Sequence, residues 1–250
     1  MLVGAAIRDG YIESVDEMVS DYLPRLQGSP YDRSSIRHVL QMASGVQWNE
    51  DYADPASDVN SASWQTLALY DYLGQKQRDS EPGTQFNYNT AETNLVGTLL
   101  RTAIGNNLST YLSERIWKPF GMESGATWSL TEPGGGEFGG CCISATLRDY
   151  GRLGLFALAE GAVGDTSVMA DGWMKDSTTP SPAYDGYGYL WWLSGAGSYR
   201  AIGIFGQGIC IHPEENVVIA LQSAREVASA DQDWALQGAL CHAIARYLQD

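Results

Sequence analysis

FNYNTAETNLVG, residues 86–97, is the stretch on which the fold of this chain turns. Gly83 to Asn89 reads as an extended approach, and TAETNLVGTLLRTAIG (90–105) reads as a helix. Leu95 with Leu99, and Val96 with Leu100, set i,i+4 pairs on one face of it. Tyr88 therefore stands where an extended segment becomes a helix, with Asn89 and Thr90 as capping candidates for the free N–H groups of the first turn. A tyrosine there has two readings. It is core, or it is a proton shuttle whose pKa nearby cations depress from about 10 towards neutrality. The second reading needs a lysine close by and a serine to deprotonate.

Upstream, MLVGAAIRDG (1–10) reads as the back half of a helix, because its apolar period starts at residue 1 with no capping residue before it. ESVDEMVSDYLPRL (13–26) predicts a short amphipathic helix closed by Pro24. Ser34 is read as the N-cap of a helix over SSIRHVLQMASG that ends at Gly45. From Val46 to about Ser80 the chain mixes aromatic and acidic residues without a period, as long functional loops do. Downstream, helices are expected over LSTYLSERIWKPFG (108–121) and TLRDYGRLGLFALAEG (146–161), with the glycine-rich turns EPGGGEFGGC (132–141) between them. The period then changes from 3.6 to 2. GYLWWLS (188–194), YRAIGIFG (199–206), GICIHP (208–213) and NVVIALQS (216–223) predict an antiparallel meander, and WALQGALCHAIARYL (234–248) a closing helix. The fold class is α+β, an antiparallel sheet flanked by helices plus a helical lobe.

Composition narrows the function classes. Among 250 residues, 30 acidic against 15 basic side chains give a formal net charge of −15, which argues against nucleic acid and anionic membrane as partners. No segment reaches the roughly 20 apolar residues of a membrane span. A soluble protein follows, with bacterial cytoplasm and periplasm both left open. The four cysteines, Cys141, Cys142, Cys210 and Cys241, fit no zinc spacing and are read as small buried thiols. No nucleophile elbow, phosphate loop or zinc helix occurs. His38, His212 and His242 lie far apart and are read as structural or exposed.

From residue 1 to 250 the chain resembles the serine β-lactamase/penicillin-binding-protein superfamily, in the esterase-like branch that includes the nylon-oligomer (6-aminohexanoate-dimer) hydrolases. DYLPRL (21–26), VLQMASGVQWNEDYADPASD (39–58), Tyr88-Asn89-Thr90, ATLRDYGRLG (145–154), YGYLWWL (187–193) and GIFGQGICIHPEENVVI (203–219) carry the resemblance by their order and spacing. The resemblance implies a β-lactamase/transpeptidase-like fold and ester or amide hydrolysis through an acyl-enzyme, with no cofactor and no metal. It makes Tyr88 the general base for the serine and the proton donor to the leaving group. It places the third motif at Ile204, Phe205, Gly206 and Gln207, where a backbone N–H near Ile204 forms half of an oxyanion hole. Phe205 stands where a basic residue is often found, against recognition of a β-lactam carboxylate. Tyr52 matches a tyrosine that covers substrate, its other reading being a surface loop anchor. Ser63 and Gly140 stand near the positions of an Asp and an Asn that grip the amine of the linear amide, which favours ester over amide-oligomer hydrolysis.

The family's first motif, S-x-x-K, is not in this sequence. Ser14 is followed by Glu17, Ser44 by Gln47 and Ser113 by Ile116, and the lysines, Lys76, Lys118 and Lys175, all lie outside such a motif. The expectation is a chain lacking its nucleophile and inactive alone, with the N-terminal strands of the family's sheet absent. Residues 1–26 and 187–250 would form the sheet-associated part, and 27–186 the helical lobe with the active-site loops. NVVIALQS would then present an open apolar edge that a homo-oligomer is able to cover. Two alternatives stay open: a non-catalytic binding module, and a fragment that requires its partner piece to fold.

Overall fold

The computed structural model describes residues 1–228 and 231–249. α1 (Leu2–Arg8), α2 (Val19–Tyr22) and α3 (Ile36–Leu40) pack on the central helix α6 (Thr90–Ile104), with α4 (Asp58–Ser61) and α5 (Thr66–Gly74) in the loop between α3 and α6. Leu95, Val96, Leu99 and Leu100 of α6 are all buried, at about 1.5–3 kcal/mol each. Asn89 caps α6, its Oδ1 accepting from Glu92 N–H at 3.3 Å, and Gly105 closes it in the left-handed conformation. α7 (Leu108–Leu112) continues as a π-helical turn to Trp117, just before Pro119.

Two small hairpins follow, β1 (Thr127–Trp128) with β2 (Ile143–Ser144) and, beyond α8 (Leu147–Leu158), β3 (Ala162–Val163) with β4 (Thr166–Ser167). After α9 (Trp173–Ser177) comes the expected meander. β5 (Trp192–Leu193), β6 (Tyr199–Ile202), β7 (Gly208–His212) and β8 (Val217–Leu221) form an antiparallel sheet in the order β5-β6-β7-β8. α8 lies against β7 and β8, so the sheet draws one of its covering layers from within residues 27–186. Gly154 permits that approach, since a Cβ there would stand 2.8 Å from Ile209 Cγ2. The alternation of β7 turns Cys210 to the other face, where it bonds Cys241 of α10 (Asp231–Tyr247). Among the described residues β8 pairs only with β7, and its five residues are all half-buried.

Four local expectations are corrected. Residues 13–26 are not one helix. The Glu17 carboxylate accepts the N–H groups of Glu13 and Ser14 at 2.7 and 3.3 Å and the Tyr22 hydroxyl at 2.8 Å, so side chains take the donors that a helix needs. Only α2 and a 3₁₀ turn at Pro24–Leu26 form. The N-cap of α3 is Ser35, which accepts His38 N–H at 3.3 Å, while Ser34 is buried and donates to the Ser44 carbonyl. That helix stops at Leu40, because Met42 enters the left-handed region before Gly45 is reached. The cysteines are not thiols: Cys210 pairs with Cys241, and the exposed neighbours Cys141 and Cys142 pair with each other. α5 and α9 form where no helix is expected, since both bury apolar side chains (Leu69, Tyr70 and Leu73; Trp173 and Met174) that tertiary contacts reward.

Candidate active site

Tyr88, Tyr52 and Ile204, far apart in sequence, line one cavity of about 320 Å³ together with Glu50, Asp51, Trp192, Ile202 and Trp234. Each element delivers its part for a local reason. The cap of α6 fixes the backbone at Asn89 and so the place of Tyr88, whose ring stacks on Trp192 at 5.5 Å and meets Tyr187 edge-on at 6.2 Å. Glu50 ties the 46–58 loop to the same helix end. Its carboxylate accepts Thr90 N–H at 3.1 Å and the Tyr52 hydroxyl at 2.7 Å, together with the Thr90 hydroxyl and the Trp48 indole N–H. An anion at the first turn of a 15-residue helix meets the positive end of its dipole. Trp234 is anchored from the sheet, its carbonyl accepting from Arg200 of β6 at 3.0 Å.

The third motif forms the turn between β6 and β7. Gly206 adopts φ +88°, a conformation a side chain would strain, and its carbonyl accepts from Gln237 of α10 at 2.8 Å. Gln207 folds back so that its Oε1 accepts the Phe205 N–H at 3.1 Å. Among the described residues nothing accepts from the Ile204 N–H, which leaves that donor available beside the cavity. The Phe205 side chain is exposed and does not line the cavity. Nor does Ser63, which is exposed. Gly140 packs on Thr90 instead, where a Cβ would come within 3.0 Å of the Thr90 carbonyl oxygen.

The electrostatics of Tyr88 differ from the sequence expectation. Burial, and after it the negative charge of Glu50, push the phenol up to about 12, and neither cause is a cation. Burial raises Tyr52 still further. Glu50, Asp51, Trp192 and Trp234 are site residues that the sequence reading did not single out. The signal for the acids was their place beside Tyr52, whereas choosing Trp192 over Trp191 needs the register that buries Trp191 and turns Trp192 to the cavity. His212 has companions the sequence did not show, with Ser198 Oγ at 3.1 Å and Glu215 Oε2 at 3.9 Å. Both approach Nδ1 of the buried ring. Among the described residues no three His, Cys, Asp or Glu side chains gather as metal ligands, and no helix is long and apolar enough to cross a membrane.

The beta-lactamase family profile matches residues 1–241. The chain belongs to the beta-lactamase family. This beta-lactamase-family chain is 31% identical over 248 residues to the 6-aminohexanoate-dimer hydrolase of Paenarthrobacter ureafaciens, an alignment that takes in 89% of this chain and 62% of that protein. It thus spans less than two thirds of the length of that curated relative. A solved structure from Bacillus anthracis, a proposed 6-aminohexanoate-dimer hydrolase, superposes with a TM-score of 0.84 at 22% identity, over 99% of this chain and 70% of that one. The penicillin-binding protein of Bacillus halodurans superposes with a TM-score of 0.70 at 19% identity, over 96% and 82%. The fold is that of the beta-lactamase/transpeptidase-like proteins.

Proposed function

We propose that this chain supplies the tyrosine and oxyanion side of a serine hydrolase site that cleaves a small ester or amide through an acyl-enzyme. The observation that carries the reading is the convergence of Tyr88, Tyr52 and the Ile204 turn on one cavity. In the complete reaction a serine of an S-x-x-K motif attacks the carbonyl carbon. Tyr88, as phenolate, takes the serine proton and returns it to the leaving alcohol or amine, and water then hydrolyses the acyl-serine. The Ile204 N–H donates a hydrogen bond to the developing oxyanion, and Tyr52 covers the substrate. No cofactor takes part in these steps.

No serine in these 250 residues is followed by lysine three places on, and a phenol held at about 12 is protonated at neutral pH. The chain by itself is therefore inactive in this reading. Ester cleavage is favoured over amide-oligomer cleavage, because Ser63 and Gly140 stand near the positions at which the resemblance places the Asp and Asn that grip the amine. The test is intact mass after a fluorophosphonate serine probe, beside turnover of a short-chain nitrophenyl ester. No adduct and no turnover agree with the proposal, and a single adduct defeats it by revealing an activated serine in this sequence. A second reading, a binding module, draws support from a cavity already formed without the nucleophile. Ligand binding that persists without turnover after an S-x-x-K segment is supplied would favour it.

A further inference from the structure

Cys141 and Cys142 pair with each other across a single peptide bond, and both side chains are exposed. Stability does not account for that bond. A cross-link stabilises chiefly by restricting the unfolded chain, and the restriction grows with the length of the loop it closes. Cys210–Cys241 spans 31 residues, whereas Cys141–Cys142 joins neighbours that the chain already holds together. The two bonds differ in access as well, since Cys210 and Cys241 are only 2% and 1% exposed. A disulfide opens by attack of a thiolate on one of its sulfurs, so the exposed pair is the one an external thiol meets first.

The pair also sits where its state reaches the start of α6. The Cys142 carbonyl accepts Ser129 N–H at 3.1 Å, and the Cys141 carbonyl accepts the Trp128 indole N–H at 3.1 Å. Between these anchors Cys142 is held at φ +81°, in the left-handed region that a side chain disfavours. Just before the pair, Gly139 N–H donates to Asn94 Oδ1 of α6 at 2.9 Å, and Gly140 packs on Thr90. Thr90 in turn is bound by Glu50, which also holds Tyr52. We propose that Cys141–Cys142 is a reversible thiol–disulfide exchange site whose reactant is a dithiol, and that its opening loosens the start of α6. One thiolate of the dithiol attacks a cysteine sulfur and forms a mixed disulfide, and the other cysteine leaves as a thiolate that takes up a proton. The second thiol of the reactant then displaces the first cysteine, so the reactant ends as a cyclic disulfide and the protein as two thiols. Two electrons and two protons pass to the protein. Once the bond is open, Cys142 leaves its left-handed conformation and draws Gly139 and Gly140 away from Asn94 and Thr90.

The full 250-residue chain, oxidised in air, is exposed to limiting dithiothreitol, and free thiols are trapped with iodoacetamide and located by peptide mass spectrometry. Cys141 and Cys142 are expected to be alkylated about tenfold faster than Cys210 and Cys241. Excess oxidised dithiothreitol, added before the trap, is expected to close the pair again. Amide hydrogen exchange over residues 86–97 is then compared in the oxidised and the selectively opened chain. It is expected to be severalfold faster in the opened chain, with residues 208–221 of the sheet unchanged. A double variant, Cys141→Ser with Cys142→Ser, is expected to exchange at the opened rate and to ignore dithiothreitol, its circular dichroism unaltered. The comparison of oxidised and opened chain needs no variant, and it decides the matter if the variant fails to fold. Alkylation of Cys141 and Cys142 before any reductant is added overturns the proposal, as does opening no faster than that of Cys210–Cys241. Selective opening that leaves exchange over 86–97 unchanged overturns it too. Ester turnover enters neither readout, so the hydrolase reading stands or falls separately.

Discussion

Glu92 shows how much a single buried side chain settles in this protein. It lies in the first turn of α6, four residues beyond Tyr88, and is almost wholly buried. Its Oε1 accepts from the Ser44 hydroxyl and from Tyr31 at 3.4 Å, while Oε2 has no partner. Burial, only partly offset by those hydrogen bonds, raises its pKa from 4.5 to about 8. The folded chain therefore holds a proton that the unfolded chain releases between those two values. Stability is full below pH 4.5 and is lost as pH rises through about 8. Urea unfolding across this range is expected to show a fall of a few kcal/mol, and Glu92→Gln to flatten it. An unchanged slope in the variant would assign the pH dependence elsewhere. Tyr88 is expected to titrate near pH 12 by ultraviolet difference spectroscopy, in a step that Tyr88→Phe removes. A step near neutrality would mean that a cation reaches the phenol.

At the scale of elements, α6 was legible because cap, period and stop agree: Asn89, two i,i+4 apolar pairs and Gly105 all point to one helix. Asn89→Ala is expected to cost about 1 kcal/mol or more in chemical unfolding, since the side chain also donates to Tyr31 at 3.4 Å. Leu99→Ala, in the buried stripe, is expected to cost 2–5 kcal/mol, at the scale of about that range for core leucines. Residues 13–26 misled for the opposite reason, because acids at helical spacing turned inward onto backbone donors. α10 is fastened to the sheet at Arg200, Gln237 and Cys241, contacts that no periodicity announces. Opening the Cys210–Cys241 bond, which closes a loop of 31 residues, is expected to destabilise by about 3–4 kcal/mol. A lower Tm in reductant, reproduced by Cys241→Ser, would check this.

Across the whole molecule, the open edge of β8 and the surplus of acidic charge pull in opposite directions. Among the described residues β8 has one unpaired edge, which invites pairing with a second copy, and a net charge of −15 opposes close approach. We propose that the edge prevails when salt screens the charge. Sedimentation velocity is then expected to show self-association that grows with ionic strength, and a monomer at every salt concentration would refute it. The family, the α+β class, the meander and the tyrosine at the head of α6 were all determined by the sequence itself. The last three rest on short-range regularities, periods of 3.6 and 2 and capping residues, whereas the family rests on the resemblance carried by the order of motifs spread from residue 21 to 219. Tertiary structure alone decided that Glu50 and Asp51 face Tyr88, that Trp192 and not Trp191 reaches the cavity, and that the cysteines pair. These outcomes depend on which distant segments meet in space, and on the charge and burial that each then imposes on the other.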